Sequence, residues 1–449
     1  MKKESKEVVI VYENVVRELD NSLLLMAELE QRGCSVKLVY KPEGILWKHR
    51  SGVVLLPNCY NTKDYEKYNY LLNTNGSEYI CLHYEQVLSK RVEKIGIHNP
   101  KGKAKDIWML CWGENCYKRL VDYGISKRML RICGAMQLDF LREEFCEFYM
   151  SRTEIAKKYG LDESKKWMLY ISSFSYVDNT IIAKYTGKEL GDYEFVKKFT
   201  EISTKSQRAT LGWFEKFVCE NQDVIIIYRK HPVEAANKNI LALKHQYPER
   251  FFDISDLSVK QWIKVSDIIT TWFSTSAAEV YMAKKPLQVI RPYPIEMEYD
   301  VPYYYNANCI DSYDKLKDIA NADESVLINS IPEDVIKEYY FIDELPAYVR
   351  VADTVEEAFK NPTSLSENRL AFAWNRILYL LKDGKLAKYI VKKSYQFIYL
   401  KTGWQLKNSK LRKQFEVSDW EKRAEEKYDE VYLDKYRKLK EVVRKYYES

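Results

Sequence analysis

No run of about 18 apolar residues occurs anywhere in the 449-residue chain, so a membrane-spanning helix is not expected. The amino end, Met1-Lys2-Lys3-Glu4-Ser5-Lys6, leads straight into an apolar segment without a signal-peptide core, which argues against secretion. No Gly-x-Gly-x-x-Gly follows that segment. The turn from Tyr12 to Asp20 contains no glycine and cannot bring its backbone close to a dinucleotide pyrophosphate, so an NAD or FAD site is not expected there. Metal-ligand spacing is missing as well: Cys111 and Cys116 are five apart, and neither a second cysteine pair nor a nearby histidine completes a zinc site. No structural metal is expected. The nine cysteines are odd in number and mostly lie in apolar segments, as reduced core thiols of a cytoplasmic protein do. Net charge is also small, +6, so its distribution matters more than its sum.

Alternation is what the chain has in quantity. With 46% apolar and 30% charged residues it reads as folded rather than disordered. Its length exceeds one ordinary core, so two α/β domains with an appendage are expected. Residues 8–12 read as a buried strand, 19–32 carry apolar side chains at helical spacing up to Gly33, and 35–40 read as the next strand. Strands are expected again at 52–56, 79–82, 107–110 and 130–133, giving a parallel sheet with helices on both faces. Residues 143–166 read as a charged helical linker, and a second sheet starts at 167–171. Residues 178–205, polar and containing Gly187 and Gly191, read as a loop over the cleft. The expected division is an N-terminal Rossmann-like (acceptor) domain over 1–150, a second Rossmann-like (donor) domain over 151–365, and a basic aromatic helical tail over 366–449.

The chemistry concentrates between Asp223 and Arg291. An apolar strand there ends in Arg229-Lys230-His231-Pro232-Val233-Glu234, and another ends in Trp272-Phe273-Ser274-Thr275-Ser276, with Glu279 one turn further on. In an open parallel sheet such turns lie at the carboxyl ends of the strands, where ligands bind. One turn offers cations and an imidazole; the other offers hydroxyls and helix N-terminal amides. Together they suit a phosphate ester. His231, as a cation or an N–H donor, suits the charge that grows on a leaving phosphate. Arg229, Lys230, Ser274, Thr275, Ser276 and Glu279 are its expected companions, joined by the hydroxyl-rich turn Ser172-Ser173. In the N-terminal half, two carboxylates stand in ligand-facing turns: Asp20, within Arg17-Glu18-Leu19-Asp20, and Glu85, within His83-Tyr84-Glu85-Gln86. Glu85 or His83 could act as a base toward an acceptor hydroxyl, with Asp20 in reserve. The competing structural readings make Asp20 a helix cap and His83 and Glu85 a solvated loop pair.

Two Rossmann-like halves, His231-Pro232 after a strand, and Thr271 to Glu279 about forty residues later together resemble bacterial GT-B glycosyltransferases of surface-polysaccharide assembly. Polysialyltransferases, capsular Kdo transferases and teichoic-acid polymerases pair a His-Pro motif with a later Ser/Thr motif and use cytidine nucleotides. The resemblance is greatest to the surface carbohydrate biosynthesis group, over roughly residues 7–295. It is carried by Arg17 to Asp20, Tyr84-Glu85-Gln86, Trp112-Gly113, Gly134 to Asp139, Tyr228 to Glu234 and Ser274 to Glu279. It implies metal-independent transfer of a sugar such as Kdo or another ulosonic acid from a CMP-activated donor to a lipid-linked or growing glycan. By the same resemblance His231, Ser274 and Thr275 contact the nucleotide phosphate and Glu85 supplies the base. Tyr84-Glu85-Gln86-Val87 lacks the second acid and the glycine of the polysialyltransferase motif, and Arg229-Lys230 stands where relatives often show Arg-Pro. Rival readings are a CDP-glycerol or CDP-ribitol polyol-phosphate transferase, a catalytically silent membrane-docked scaffold, and a nucleotide-sugar 2-epimerase.

From Arg376 to Lys413 eleven cations face a single acid, Asp383, with aromatics such as Trp374, Tyr395, Phe397 and Trp404 interleaved. That mixture suits an anionic membrane surface. Single-stranded nucleic acid would accept it too, but no nucleic-acid-binding fold accompanies it, so no nucleic-acid partner is expected. The expected location is peripheral, at the inner face of the plasma membrane.

Overall fold

A computed structural model of the chain describes residues 6–40, 52–363, 365–382, 385–402 and 428–448. Two six-stranded sheets organise it, and every strand pairing in both is parallel. The first sheet holds β1 (Glu7–Tyr12), β2 (Ser35–Tyr40), β3 (Val53–Leu56), β4 (Glu78–Cys81), β5 (Trp108–Cys111) and β6 (Leu130–Ile132), in the order β2-β1-β3-β4-β5-β6. The second holds β7 (Lys166–Ile171), β8 (Val224–Arg229), β9 (Phe251–Asp253), β10 (Ile268–Thr271), β11 (Leu287–Ile290) and β12 (Cys309–Ile310), in the order β12-β11-β10-β7-β8-β9. The second is the order of a dinucleotide-binding sheet, reversing between β7 and β10; the first reverses between β1 and β3. Central strands such as β3, β8 and β10 are buried along their whole length, which explains the Val, Ile and Leu runs of β3 and β8, while the two threonines of β10 donate their hydroxyls to β7 carbonyls.

Residues 178–205 are not a loop. Thr180–Leu190 and Tyr193–Glu220 are helices, joined at Gly191 in the left-handed region (φ 62°) and restarted by Asp192, whose carboxylate accepts the Phe195 amide at 3.1 Å. Phe195, Phe199, Leu211 and Phe214 of the longer helix are buried against the second sheet. Polar composition concealed that apolar stripe.

The chain also does not divide contiguously at residue 365. After the second sheet it crosses back, and the helix Ala347–Lys360 buries Tyr348, Val351, Ala352 and Val355 in the core of the first domain. Asp139 fixes the crossing: its two carboxylate oxygens accept the amides of Ala347 (3.0 Å) and Tyr348 (2.9 Å) at the start of that helix. Gly134, at φ 79°, lets the returning chain pass close, since a Cβ there would fall 2.6 Å from the Phe341 carbonyl oxygen. Within the tail, Arg369–Leu381 and Lys385–Thr402 are helices, and the C-terminal helix Tyr428–Glu448 lies on the first helix, Val15–Gln31, with Leu439 and Val443 buried. Trp404 and the cations from Lys407 to Lys413 lie outside the described residues.

Candidate active site in the interdomain cleft

The carboxyl ends of both sheets border one cavity of about 480 Å³. The first domain contributes Arg17, Tyr84, Glu85 and Gln137; the second contributes the turns after β7, β8 and β10 and the start of the helix Val259–Val265. Four cations line it, Arg17, Arg229, Lys230 and Lys260, against two carboxylates, Glu85 and Glu279. That balance favours an anionic ligand.

His231 stands at the mouth of the β8 turn, open to the cleft. Its Nδ1 accepts the Val233 amide at 3.4 Å, which leaves the ring proton on Nε2. Burial between the domains, and next the nearby Arg17 charge, lower its pKa from the ordinary 6.5, so at neutral pH it is an uncharged N–H donor. Glu234 holds the turn in shape. Its buried carboxylate accepts from Ser172 Oγ (2.6 Å), Tyr228 Oη (2.7 Å), the His231 amide (3.1 Å) and Gln207 Nε2 (3.2 Å). Burial raises the Glu234 pKa, and these donors oppose the rise.

Several expected ligand contacts are engaged elsewhere. Ser172 lines the cavity, but its hydroxyl donates to Glu234; Ser173 Oγ accepts the Phe273 amide at 3.0 Å and does not line the cavity. Arg229 borders the cavity, but its guanidinium donates to the carbonyls of Asp256 (2.9 Å) and Leu257 (2.7 Å). Burial pushes its pKa down to about 10. Lys230 borders the cavity with Asp253 at 3.6 Å. Arg291, the residue after β11, does not line the cavity and forms a buried pair with Asp300 (2.5 Å).

Ser274, Thr275, Ser276 and Glu279 all reach the cavity. The helix behind them, Ala277–Met282, is short, and its approach amides are committed internally. The Ser274 amide donates to Tyr304 Oη (2.9 Å) and the Ser276 amide to Ser274 Oγ (3.2 Å). The turn therefore offers the Thr275 hydroxyl more than a nest of amides. Lys260 stands across from Glu279 and escaped the sequence reading. Burial lowers the Lys260 pKa and raises that of Glu279, each shift opposed by the other's charge. Its signal was the strand-turn-helix arrangement at β9, where Ser258 caps the next helix by accepting the Gln261 amide at 3.3 Å.

In the first domain, Glu85 accepts from Arg17 Nη2 at 2.7 Å, both groups half-exposed in the cleft. Gln86 braces the turn by accepting the Trp112 amide (2.7 Å) and donating to the His83 carbonyl (2.8 Å) and the Leu110 carbonyl (3.0 Å). His83 is fully buried, with Nδ1 3.8 Å from Cys116 Sγ, and does not line the cavity. Asp20 does not line it either. Its carboxylate pairs with Lys435 of the C-terminal helix at 2.7 Å. Nor does Asp20 cap the first helix: Asn14 Oδ1 accepts the Arg17 amide (3.1 Å), and Glu18 reaches back to the amides of Glu13 (2.7 Å) and Asn14 (3.2 Å).

Two Rossmann-like domains facing each other across this cleft, with a C-terminal helix returning to the first, form a GT-B fold. No family model matches the chain, and no curated protein matches it in sequence. Among solved structures it is similar to a co-structure of S. aureus MnaA with UDP, at 12% identity and TM-score 0.51, over 79% of this chain and 97% of that one. A variant of the wall teichoic acid polymerase TagF aligns at 13% identity and TM-score 0.49, over 80% of this chain and 90% of that one. A UDP-N-acetylglucosamine 2-epimerase aligns at 11% identity and TM-score 0.49, over 80% and 96%.

Proposed function

We propose that the chain is a glycosyltransferase of surface-polysaccharide biosynthesis that acts in this cleft. It moves a sugar, Kdo or another ulosonic acid, from a CMP-activated donor to a lipid-linked or growing glycan at the inner membrane face. The observation that carries this reading is the meeting, in one cavity, of the His231 Nε2–H donor with the Arg17–Glu85 pair from the opposite domain.

The second domain holds the donor. Lys230, Lys260 and the Thr275 hydroxyl surround the phosphate, and Glu279 takes nucleoside hydroxyls. As the bond to the sugar breaks, negative charge gathers on the leaving phosphate, and the His231 Nε2–H lies ready to donate to it without carrying charge of its own. Glu85 takes the proton of the acceptor hydroxyl, and Arg17 fixes the direction of its carboxylate. A second reading, transfer of a polyol phosphate from CDP-glycerol or CDP-ribitol, draws support from the excess of cations, since the moving group would itself be anionic.

Nucleotide release from a panel of CMP-, CDP- and UDP-activated donors decides between these. CMP release from CMP-Kdo or another CMP-ulosonic acid is the expected result. Turnover of CDP-polyols alone would replace the first reading with the second, turnover of UDP-sugars alone would point to a 2-epimerase or another transferase, and absence of nucleotide binding would leave a scaffold.

A further inference from the structure

Of 21 large hydrophobic side chains exposed among the described residues, nine lie between Leu370 and Ile398, so exposure is concentrated in one helical pair. On the helix Arg369–Leu381 they recur at Leu370 (83% exposed), Trp374 (63%), Ile377 and Leu381 (60%), a spacing that puts them on one face. The opposite face is already occupied: Phe372 and Tyr379 pack on the Tyr70 ring (centroids 5.5 and 5.3 Å), and Arg376 Nε donates to the Tyr70 carbonyl (2.7 Å). The partner helix Lys385–Thr402 repeats the arrangement, with Tyr395 buried and Ile390 and Phe397 exposed. The outward stripe is therefore not a core face awaiting its own domain.

We infer that this helical pair is the membrane-contacting element, laying its apolar stripe into the headgroup–acyl boundary of an anionic bilayer. The inference rests on the proposed function only in placing that reaction at a membrane. Charge selects the occupant. From Arg369 to Thr402 the sequence carries eight Lys or Arg and one acid, Asp383, and the exposed Arg369, Lys382 and Lys401 flank the stripe. A second copy of the chain would bring like charges together, whereas anionic headgroups complement them. No helix among the described residues is long and apolar enough to cross a membrane, which fits a helix lying in the interface.

The test is flotation of the full-length protein with vesicles of phosphatidylcholine alone and of phosphatidylcholine mixed with phosphatidylglycerol. Wild type should float with the mixed vesicles and only weakly with the neutral ones. Leu370→Glu/Trp374→Glu/Leu381→Glu should reduce flotation on the order of tenfold. Its melting temperature and its turnover of a soluble donor should stay unchanged, because none of the three residues lies in the cleft. Lys382→Glu/Lys401→Glu should weaken binding to the mixed vesicles only. Failure of wild type to float, equal flotation of the apolar-face variant, or a dimer that this variant splits would each overturn the inference. Flotation without donor turnover would sink the enzymatic reading and leave the surface; turnover without flotation would do the reverse.

Discussion

His231 keeps its proton on Nε2 because a backbone amide two residues on faces Nδ1, and this small geometric fact sets its chemistry. Burial and the Arg17 charge hold the imidazole below 6.5, the value expected in the unfolded chain. Its effect on stability follows from that sign: the folded form binds its proton later, so stability should fall as pH drops below 6.5. Urea midpoints measured from pH 7 downward should show this fall, and it should be smaller in His231→Ala. A ring titration followed by NMR should lie below 6.5 without ligand and move upward when CMP binds, since phosphate favours the imidazolium. A midpoint at or above 6.5 without ligand would contradict the assigned environment. The carboxylates separate just as sharply. Glu85→Gln should lower transfer by about 100-fold or more, whereas Asp20→Asn should leave transfer unchanged. Sequence offered both as candidates because it shows a carboxylate in a turn but not its partner; Lys435, more than four hundred residues away, decides Asp20. Ser172 does line the cavity, but the direction of its hydroxyl toward Glu234 was not legible in the sequence.

At the scale of elements, buried strands ending in polar turns were readable directly, because parallel strands covered on both faces must be apolar throughout. β8 with its His231 turn and β10 with its Ser274 turn fall where that pattern places them. Where polar residues flank an apolar stripe, as in Tyr193–Glu220, local composition pointed the wrong way. Packing at long range was hidden too, above all the C-terminal helix seated on the first helix. Leu439 is fully buried there, and Tyr436 and Tyr447 donate to Glu30 and Glu28 (both 2.5 Å). Leu439→Ala should therefore cost about 2–5 kcal/mol in urea unfolding, as a core truncation does. A loss near zero would mean the helix is not held in this position. The Asp20–Lys435 pair itself, being partly exposed, should contribute no more than about 1 kcal/mol.

For the whole molecule, the cleft works only if two domains meet across it. Away from the cavity, Arg91 of the first domain bridges to the second, with Nε donating to Asp192 (2.6 Å) and Nη1 to Glu298 (2.5 Å). Arg91→Ala should open the domains, read as a larger radius of gyration by solution scattering; an unchanged radius would show that the crossing helix Ala347–Lys360 alone sets their spacing. All of this geometry serves one claim, that the cleft binds a nucleotide-activated donor and that His231 stabilises its leaving phosphate. The most direct measurement is steady-state donor turnover by wild type and His231→Ala. The expected result is a fall in kcat of about 100-fold with little change in KM, as for loss of a donor that matters most in the transition state. Equal turnover by the two proteins would contradict the claim.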